Sequence, residues 1–265
     1  MSDVRWKPTL LIRASLLLHA ATAILLIVQP MQWRIALAAL LVNHALLTLA
    51  GLLPRCDWLG PNWTSLPEAC RNGIALTIDD GPDPVVTPKV LDILDRHDAK
   101  ATFFCIGEKA LRHPDLCREI ISRGHAVENH SQHHRHFFSL LGYSGYLREL
   151  MAAQTTLTGI TGQRPLFFRA PAGLRNPFLD PALAKLNLQL TSWSVRAYDT
   201  RVSDAEQVAR KLIKGLKAGA ILLLHDGNAA RTKDGNPVIL EVLPGILSAA
   251  HHAGLRLVTL RSALS

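Results

Sequence analysis

Two long apolar segments stand at the start of the chain, separated by a short turn. They cover residues 9–28 and 35–53, and each is about the length that a helix needs to cross the hydrocarbon core of a bilayer. The turn, QPMQWR, contains Trp33, a residue type that is enriched at membrane interfaces. The pattern predicts a hairpin of two transmembrane helices, so that residues 1–55 form a membrane anchor.

A few polar residues interrupt these apolar segments. Arg13 lies near one end and can extend to the interface, whereas His19, Asn43 and His44 could pair between the two helices. The alternative is a cleaved signal peptide followed by a core helix. A second apolar segment and the lack of a convincing small-residue cleavage site make that alternative less favoured.

The charges beside the two segments bear on their orientation. The hairpin turn offers only Arg34, whereas the outer flanks of the two segments carry Arg5, Lys7, Arg13, Arg55 and Arg71. Because cytoplasmic flanks are usually the more positive ones, the bias favours a multi-pass protein of a bacterial-type inner membrane with its main domain on the cytoplasmic side.

The pattern changes after a predicted linker at residues 56–72. Strand-like apolar runs recur at 74–78, 101–106, 125–129, 166–170, 188–193, 220–225 and 255–260. Helical spacing separates most of them, and Ser203 and Asp204 form a good N-cap region for a helix from Ala205 to Leu216. This alternation predicts an α/β domain at residues 73–265 with a largely parallel sheet of about seven strands.

Composition agrees with a membrane-attached protein that has one sizeable core. The chain has 265 residues, is 48% hydrophobic and has a mean hydropathy of +0.15. Its formal net charge of +8 suits contact with nucleic acid or with anionic lipid. With no Lys/Arg-rich run and only 6% aromatic residues, nucleic acid is disfavoured as a partner and membrane lipid is favoured.

The four cysteines do not suggest a cysteine-ligated metal site. None of them forms a CxxC pair, and Cys105 and Cys117 fall in segments where they read as small buried hydrophobic residues. A disulfide between Cys56 and Cys70 stays open.

The first strand-like run ends on two adjacent carboxylates. The stretch 74-IALTIDDGPDP-84 passes from apolar residues directly to Asp79 and Asp80, and a Gly-Pro break follows. Burying two like charges is costly unless a metal or an arginine compensates for them. An ordinary Asp-rich turn is the alternative, because DG and DP are common turn pairs.

A histidine-rich stretch, 125-HAVENHSQHH-134, follows the third strand-like run. His130 and His134 are spaced i, i+4, so on a helical turn they would share one face and could hold one metal ion. The zincin pattern needs Glu where Ser131 stands, which disfavours that class. With Asp79 or Asp80 the pair would complete a three-ligand site, and an exposed His-rich loop is the alternative.

Four motifs in order resemble the polysaccharide deacetylase family, with the NodB homology domain of carbohydrate esterase family 4. They are TIDDGPDP, HSQHH, 169-RAPAG-173 and the Leu223–His225 pair in 220-AILLLHDG-227, and together they cover roughly residues 73–260. The resemblance implies an irregular (β/α)7 barrel of the NodB type, preceded here by the predicted hairpin.

The resemblance also implies a metal site. Asp80 is expected to bind a divalent metal together with His130 and His134, and the expected ion is Zn²⁺, with Co²⁺ or Ni²⁺ as alternatives. Asp79 is expected to be the general base that takes a proton from water activated by the metal.

Other expected roles complete the implied mechanism. Arg169 resembles the arginine that pairs with the base, here expected to be bidentate, and His225 resembles the acid that protonates the leaving amine. Asp199 is expected to raise the pKa of His225. The metal and a backbone N–H near Pro171–Gly173 would stabilise the oxyanion.

Two positions depart from the family pattern. Ala172 stands where the family often has an aromatic residue, and Thr200 stands where a Trp usually follows the acidic residue. Both changes remove surface on which a sugar could stack, which weakens any expectation of a long glycan chain. Trp193 or Tyr198 could compensate, although Trp193 reads more simply as core packing.

The expected function is therefore hydrolysis of an amide. The chain would remove an N-acyl group, most simply acetyl, from an amino sugar of an envelope glycan or a lipid-linked glycan. The alternatives are a catalytically silent membrane scaffold that binds glycans, and a deformylase or amidase that acts on a non-polysaccharide amide.

Overall fold

The structure is a computed structural model, and it describes residues 6–70 and 72–264. Arg5 and Arg71, two of the charges used above to orient the hairpin, lie outside the described residues. Within those ranges the chain forms nine α-helices: α1 Leu10–Val28, α2 Trp33–Leu52, α3 Thr87–Arg96, α4 Gly107–Arg112, α5 Pro114–Ser122, α6 Tyr143–Thr161, α7 Leu179–Lys185, α8 Ala205–Lys214 and α9 Val238–His252.

Eight strands are described in the same ranges: β1 Gly73–Gly81, β2 Ala101–Cys105, β3 Ala126–Asn129, β4 Phe167–Phe168, β5 Gln189–Leu190, β6 Val195–Arg196, β7 Ile221–His225 and β8 Arg256–Leu257. Each of the seven apolar runs of the sequence overlaps one of them. The additional strand, β6, has only two residues, which is too short to give a periodic pattern.

The N-terminal helices α1 and α2 pack against each other as a hairpin. Asn43 donates a hydrogen bond from Nδ2 to Ser15 Oγ over 2.9 Å, and the Nε2 atoms of His19 and His44 lie 3.4 Å apart. The predicted pairing of polar residues between the helices is therefore confirmed. The rest of the protein covers only 17% of the apolar segment in α1 and 28% of that in α2. A helix in the core of a soluble protein is covered to a far greater extent.

The strands form one curled parallel sheet with β1 in the middle. The order is β5-β4-β3-β2-β1-β7-β6, and β8 pairs with the start of β1. All nine residues of β1 are buried, as expected for a strand that is covered on both faces and paired along both edges. The predicted α/β fold with a largely parallel sheet is confirmed.

Residues before β1 bridge to segments next to β5 and β7. Trp63 bridges to Thr191, beyond β5, and Ser65 bridges to Ala220, before β7. The ring of Trp63 meets that of Phe167 edge to face, with the centroids 5.2 Å apart. Trp63 therefore packs within the domain.

Helices cover the sheet and pack on an apolar core. Residues of α3, α8 and α9 join β1, β2 and β7 in the largest buried cluster. The N-cap prediction for α8 is confirmed, because the side chain of Asp204 accepts a hydrogen bond from the amide of Gln207 over 3.0 Å. The parallel arrangement brings the C-terminal ends of β1, β3, β4 and β7 to the same edge of the sheet.

The hairpin contacts the α/β domain through several polar bonds. The amide of Arg175 donates to Gly51 O over 3.1 Å, and the indole Nε1 of Trp6 donates to Asp180 Oδ2 over 2.7 Å. A Cβ atom at Gly51 would lie 2.1 Å from Arg175 O, so this glycine permits close approach of α2 to the loop after residue 173.

Candidate functional site

A break in the pairing of β1 brings the two adjacent carboxylates toward one pocket. Asp79 pairs with Phe104 and Gly81 pairs with Cys105, so Asp80 is the extra residue of a bulge, and its φ is +72°. Regular alternation would send the two side chains to opposite faces of the sheet. With the bulge, both line the same pocket, where Asp79 is 2% exposed and Asp80 is 5% exposed.

The two predicted histidine ligands lie on a loop that follows β3. The expectation that they share a face of a helical turn is wrong, because Ser131 and His134 have positive φ values of 64° and 50°. The Asn129 side chain accepts the amide of Ser131 over 2.9 Å, and Ser131 Oγ accepts the amide of His134 over 3.0 Å. These local bonds shape the loop so that both imidazoles still converge.

The three predicted metal ligands come together. Asp80 Oδ1 lies 3.2 Å from His130 Nε2 and 3.2 Å from His134 Nε2, and one ligand atom from each residue lies within 4.8 Å of the others. Atoms this close can bind one cation after small shifts, since zinc–ligand distances are about 2.0–2.2 Å for nitrogen and oxygen.

The protonation of these groups fits a divalent cation. His130 Nδ1 lies 2.8 Å from Arg169 O, a bond that requires hydrogen on Nδ1 and leaves a lone pair on Nε2. Burial first, and then the neighbouring His130, lower the pKa of His134 to about 4, so it is neutral at neutral pH. Buried Asp80 Oδ1 then has no hydrogen-bond donor, which is the arrangement that a bound cation would satisfy.

Asp80 is stabilised in its charged form. Burial opposes ionisation, but the nearby histidines, His130 first and then His225 and His134, hold the pKa of Asp80 below its usual range. The pocket therefore favours positive charge next to this carboxylate. A metal ion would supply that charge when the imidazoles are neutral.

Asp79 is held by a buried arginine. Arg169 Nη1 donates to Asp79 Oδ1 over 2.7 Å and to Thr77 Oγ1 over 2.7 Å, while Nη2 donates to Ser192 O over 2.7 Å. The expected bidentate pair is therefore wrong, because the second guanidinium nitrogen bonds to the backbone of Ser192. The contact leaves Asp79 Oδ2 on the side of the histidines, 3.9 Å from His130 Nε2.

His225 and Asp199 form a second buried pair. Asp199 Oδ1 lies 2.9 Å from His225 Nδ1, and Asp199 Oδ2 accepts the amide of His225 over 2.7 Å. Burial alone would lower the pKa of His225, but Asp199 first, and then Asp79 and Asp80, raise it. Because Nδ1 carries the hydrogen donated to Asp199, Nε2 is the nitrogen left to exchange a proton in the pocket.

The sequence analysis missed several residues that support Asp80. Asn228 donates from Nδ2 to Asp80 Oδ2 over 2.9 Å, and Lys109 Nζ donates to Asp80 O over 2.8 Å. A Cβ at Gly227 would lie 1.9 Å from Asp80 O, so the glycine after His225 and Asp226 lets these two loops meet. Only the closeness of Asn228 to the LLLHDG motif could have suggested its position.

The pocket around these groups has a volume of about 390 Å³, within the range of small-molecule sites. Ala172, with φ +55°, and Trp193, which is 7% exposed, both line it. Tyr198 does not line the pocket; it is 47% exposed and lies beneath Arg196 and Lys211. Trp193 is therefore the aromatic side chain available for contact with a ligand.

Comparisons with known proteins agree with this geometry. The family described as "Polysaccharide deacetylase" matches residues 67–191. A chitooligosaccharide deacetylase of Azorhizobium caulinodans is 35% identical over 158 residues, which is 59% of this chain and 75% of the relative. The solved structure of the Bc1960 peptidoglycan N-acetylglucosamine deacetylase superposes with a TM-score of 0.69 at 28% identity, covering 76% of this chain and 92% of that one.

The chain belongs to the polysaccharide deacetylase family. The peptidoglycan-N-acetylglucosamine deacetylase PgdA of Listeria monocytogenes is 36% identical over 162 residues, 61% of this chain. The aligned part spans only about a third of that relative, 34% of its length.

The residues matched by the polysaccharide deacetylase family include only part of the site. Asp79, Asp80, His130, His134 and Arg169 lie inside the matched residues 67–191, whereas the paired Asp199 and His225 lie beyond them. The pair belongs to the same site because β7 lies beside β1, with His225 directly opposite Asp79.

Proposed function

We propose that this chain is a metal-dependent hydrolase that removes an N-acetyl group from an amino sugar of an envelope glycan. The observation that carries the proposal is the convergence of Asp80, His130 and His134 beside two further buried pairs, Asp79–Arg169 and His225–Asp199. The names of the relatives, deacetylases of chitooligosaccharides and of peptidoglycan N-acetylglucosamine, supply the substrate class.

Asp80, His130 and His134 would hold the cation, and zinc is the expected ion, with cobalt or nickel as alternatives. A divalent cation in this position makes water acidic near neutral pH and polarises a carbonyl oxygen. Asn228 orients Asp80 through its second carboxylate oxygen. The carbonyl of Arg169 orients His130 through Nδ1.

Asp79 is the group suited to accept a proton from the attacking water. Arg169 fixes one of its oxygens, and the other is turned toward the histidine cluster. The ring of Phe104 lies 4.2 Å from the Arg169 guanidinium carbon, which helps to keep the arginine in place. A positioned general base contributes about 10²–10⁴-fold to such a rate.

His225 is the group suited to protonate the leaving nitrogen. When the carbon–nitrogen bond breaks, His225 donates the proton on Nε2 to the amine, and acetate and the free amino sugar are released. Asp199 stabilises the imidazolium before that transfer. Pro171 has no N–H and the amide of Gly173 donates to Ala170 O, so Ala172 offers the amide that could face the oxyanion.

We further infer that α1 and α2 span a membrane and hold the domain beside it. Both helices are long and apolar, and most of their surface is uncovered. Among the described residues, Lys7, Arg13 at the start of α1 and Arg55 after α2 lie at the open end of the hairpin, and Arg34 at the start of α2 lies next to its turn, which favours a cytoplasmic domain. A substrate that is still attached to a membrane lipid would suit this location.

Acetate release tests the proposal directly. The purified full chain is incubated with chitooligosaccharides and with an acetylated sugar–lipid, and acetate and bound metal are measured. We expect Asp79→Asn to retain metal and lose at least about 100-fold in kcat, since the base is removed. His130→Ala is expected to lose both metal and activity.

His133→Ala is the matched control for His130→Ala. His133 lies on the same loop but bonds to Glu149 over 2.8 Å and not to the three-residue cluster. This variant should keep its metal and most of its activity. Full activity in Asp79→Asn would remove the assigned base, and a wild-type protein purified without chelators that contains no divalent ion would favour the catalytically silent alternative.

A further inference from the structure

A second cavity lies between the N-terminal hairpin and the α/β domain. Its volume is about 730 Å³, larger than that of the deacetylase pocket. Apolar side chains form most of its lining, with Leu16 and Leu47 on the hairpin side and Leu174 and Phe178 on the domain side. A space of this size and character fits a hydrocarbon chain better than a sugar.

The cavity also contains a buried positive charge. Arg175 lines it and is 5% exposed. Its Nη2 donates to the carbonyl of Cys56, but Nε is buried without a hydrogen-bond partner. Asp180 and Asp57 are near enough to act on its charge, yet neither forms an ion pair with it, and no other described residue does so.

A buried guanidinium that lacks a carboxylate partner is costly for the folded protein alone. Arginine is the residue type best suited to bind phosphate oxygens, because its planar group presents several N–H donors in a fixed geometry. Arg175 together with the apolar lining therefore matches an amphiphile with an anionic phosphate and a long hydrocarbon chain.

The cavity adjoins the active site. Gly173 lines the deacetylase pocket and the next residue, Leu174, lines the second cavity, so the end of the RAPAG turn forms a shared wall. Consecutive Cα atoms are only about 3.8 Å apart. One molecule could therefore place a sugar on one side of this wall and a lipid on the other.

The cavity is also next to the surface that would face the bilayer. Leu140 and Phe178 line it from the domain and are 82% and 54% exposed, and His19 and His44 line it from the middle of the hairpin helices. Large exposed apolar side chains beside membrane-spanning helices are the expected entrance for a lipid.

We propose that this cavity binds the phosphate-linked hydrocarbon chain of the substrate, so that the enzyme acts on an N-acetylated amino sugar carried by a lipid phosphate. The proposal rests on the proposed function for the sugar part. Arg175 binds the phosphate, and the apolar walls bind the chain. An ordinary membrane phospholipid shares this chemistry, and the test separates the two.

Photolabelling of the full chain in phosphatidylcholine nanodiscs tests the binding step without catalysis. The probe is dodecyl phosphate with a diazirine at the end of its chain, and labelled residues are mapped by mass spectrometry. We expect labels on α2 and on the loop containing Leu174. Dodecyl phosphate should compete at least about ten-fold better than dodecanol, and phosphatidylglycerol no better than dodecanol.

Two variants and a control assign the effect to the cavity. Arg175→Met should abolish the preference for the phosphate over the alcohol, and Thr48→Trp should fill the cavity and reduce labelling by at least about ten-fold. Arg148→Met, at an exposed arginine of α6, should behave as wild type. If Arg175→Met fails to fold, the wild-type competition and Thr48→Trp still decide the result.

A paired substrate assay separates this inference from the proposed function. N-acetylglucosamine 1-phosphate is supplied as its dodecyl or its methyl ester, and acetate release should be at least about ten-fold more efficient in kcat/KM for the dodecyl ester. The inference would be overturned if the two esters were hydrolysed with equal efficiency. It would also be overturned if dodecanol competed as well as dodecyl phosphate, or if phosphatidylglycerol did so. Release from neither ester would contradict the proposed function, while the labelling experiment would still decide whether the cavity binds a lipid phosphate.

Discussion

At the scale of single residues, the site depends on adjacent carboxylates with different surroundings. Asp79 accepts a hydrogen bond from Arg169, and Asp80 faces His130 and His134. The positive φ of Asp80 allows this division, because it turns one side chain out of the regular alternation of β1. Two like charges can then be buried side by side, since each has its own compensating group.

The pH dependence of activity should depend on Asp199. This carboxylate counteracts the effect of burial and raises the pKa of His225, so the imidazolium persists to higher pH. We expect activity to fall at alkaline pH, when that proton is lost. We expect Asp199→Asn to move the alkaline limb of the kcat/KM profile to lower pH and to lower the maximum at least about ten-fold.

The comparison is made at the same metal content, because a bound cation acts on His225 in both proteins. Asp234→Asn, at an exposed loop carboxylate, is the control and should leave the profile unchanged. An unchanged alkaline limb in Asp199→Asn would show that His225 is not the acid or that Asp199 does not set its pKa.

At the scale of elements, the apolar helix α2 also packs against the loop that lines the pocket. Arg175 bonds to Gly51 of α2, and a Cβ at Gly173 would lie 2.6 Å from Pro54, just beyond the helix. The turn that separates the two cavities is therefore packed directly against the end of the hairpin. A shift of α2 should disturb both the hairpin and the RAPAG turn.

Substitution of Gly51 tests this contact. In Gly51→Ala the new methyl group would lie 2.1 Å from Arg175 O, so α2 and the loop must separate. We expect a loss of about 1–3 kcal/mol in the free energy of unfolding, as for other overpacked sites. Thermal unfolding in detergent measures it as a lower Tm.

Gly159→Ala is the matched control within a helix. Gly159 lies in α6, and no atom is within 4 Å of the Cβ position. This change should raise stability slightly, by about 0.4–1 kcal/mol, since alanine favours helix. Equal Tm values for the two variants would mean that the hairpin does not pack on the loop in solution.

At the scale of the whole molecule, the hairpin and the domain share a surface that neither would form alone. Ile12, Leu47 and Ala50 of the hairpin form a separate buried cluster with Leu59, which lies in the segment between the hairpin and the domain. Thr9 donates a hydrogen bond to Trp58 O in the same segment, and Trp6 donates one to Asp180 in the domain. The domain is therefore expected to lie at a fixed depth beside the membrane and not to move freely on a linker.

Labelling with a membrane-impermeant maleimide tests the orientation. We expect Met31→Cys, in the hairpin turn, to react in intact cells, and Lys214→Cys, at the end of α8, to react only after the membrane is opened. Both positions are exposed, and the background replaces the four natural cysteines with serine. The reverse pattern would put the domain on the outer side of the membrane.

The sequence predicted most of the elements and site residues. Apolar runs located seven of the strands, because a parallel strand that is covered on both faces must be apolar. The resemblance named seven residues, because their chemistry requires particular side chains at the ends of particular strands. The structure brings five of them to the pocket wall and places the other two, Arg169 and Asp199, against Asp79 and His225. Their individual roles stay predictions.

Only the tertiary structure decided how those side chains meet. The bulge at Asp80, the non-helical loop at His130–His134, the single bond from Arg169 to Asp79 and the support from Asn228 depend on contacts between distant segments. The same is true of the cavity at Arg175. Spacing along the chain determines local periodicity and residue chemistry, whereas side-chain direction and burial are determined by packing between elements that are far apart in sequence.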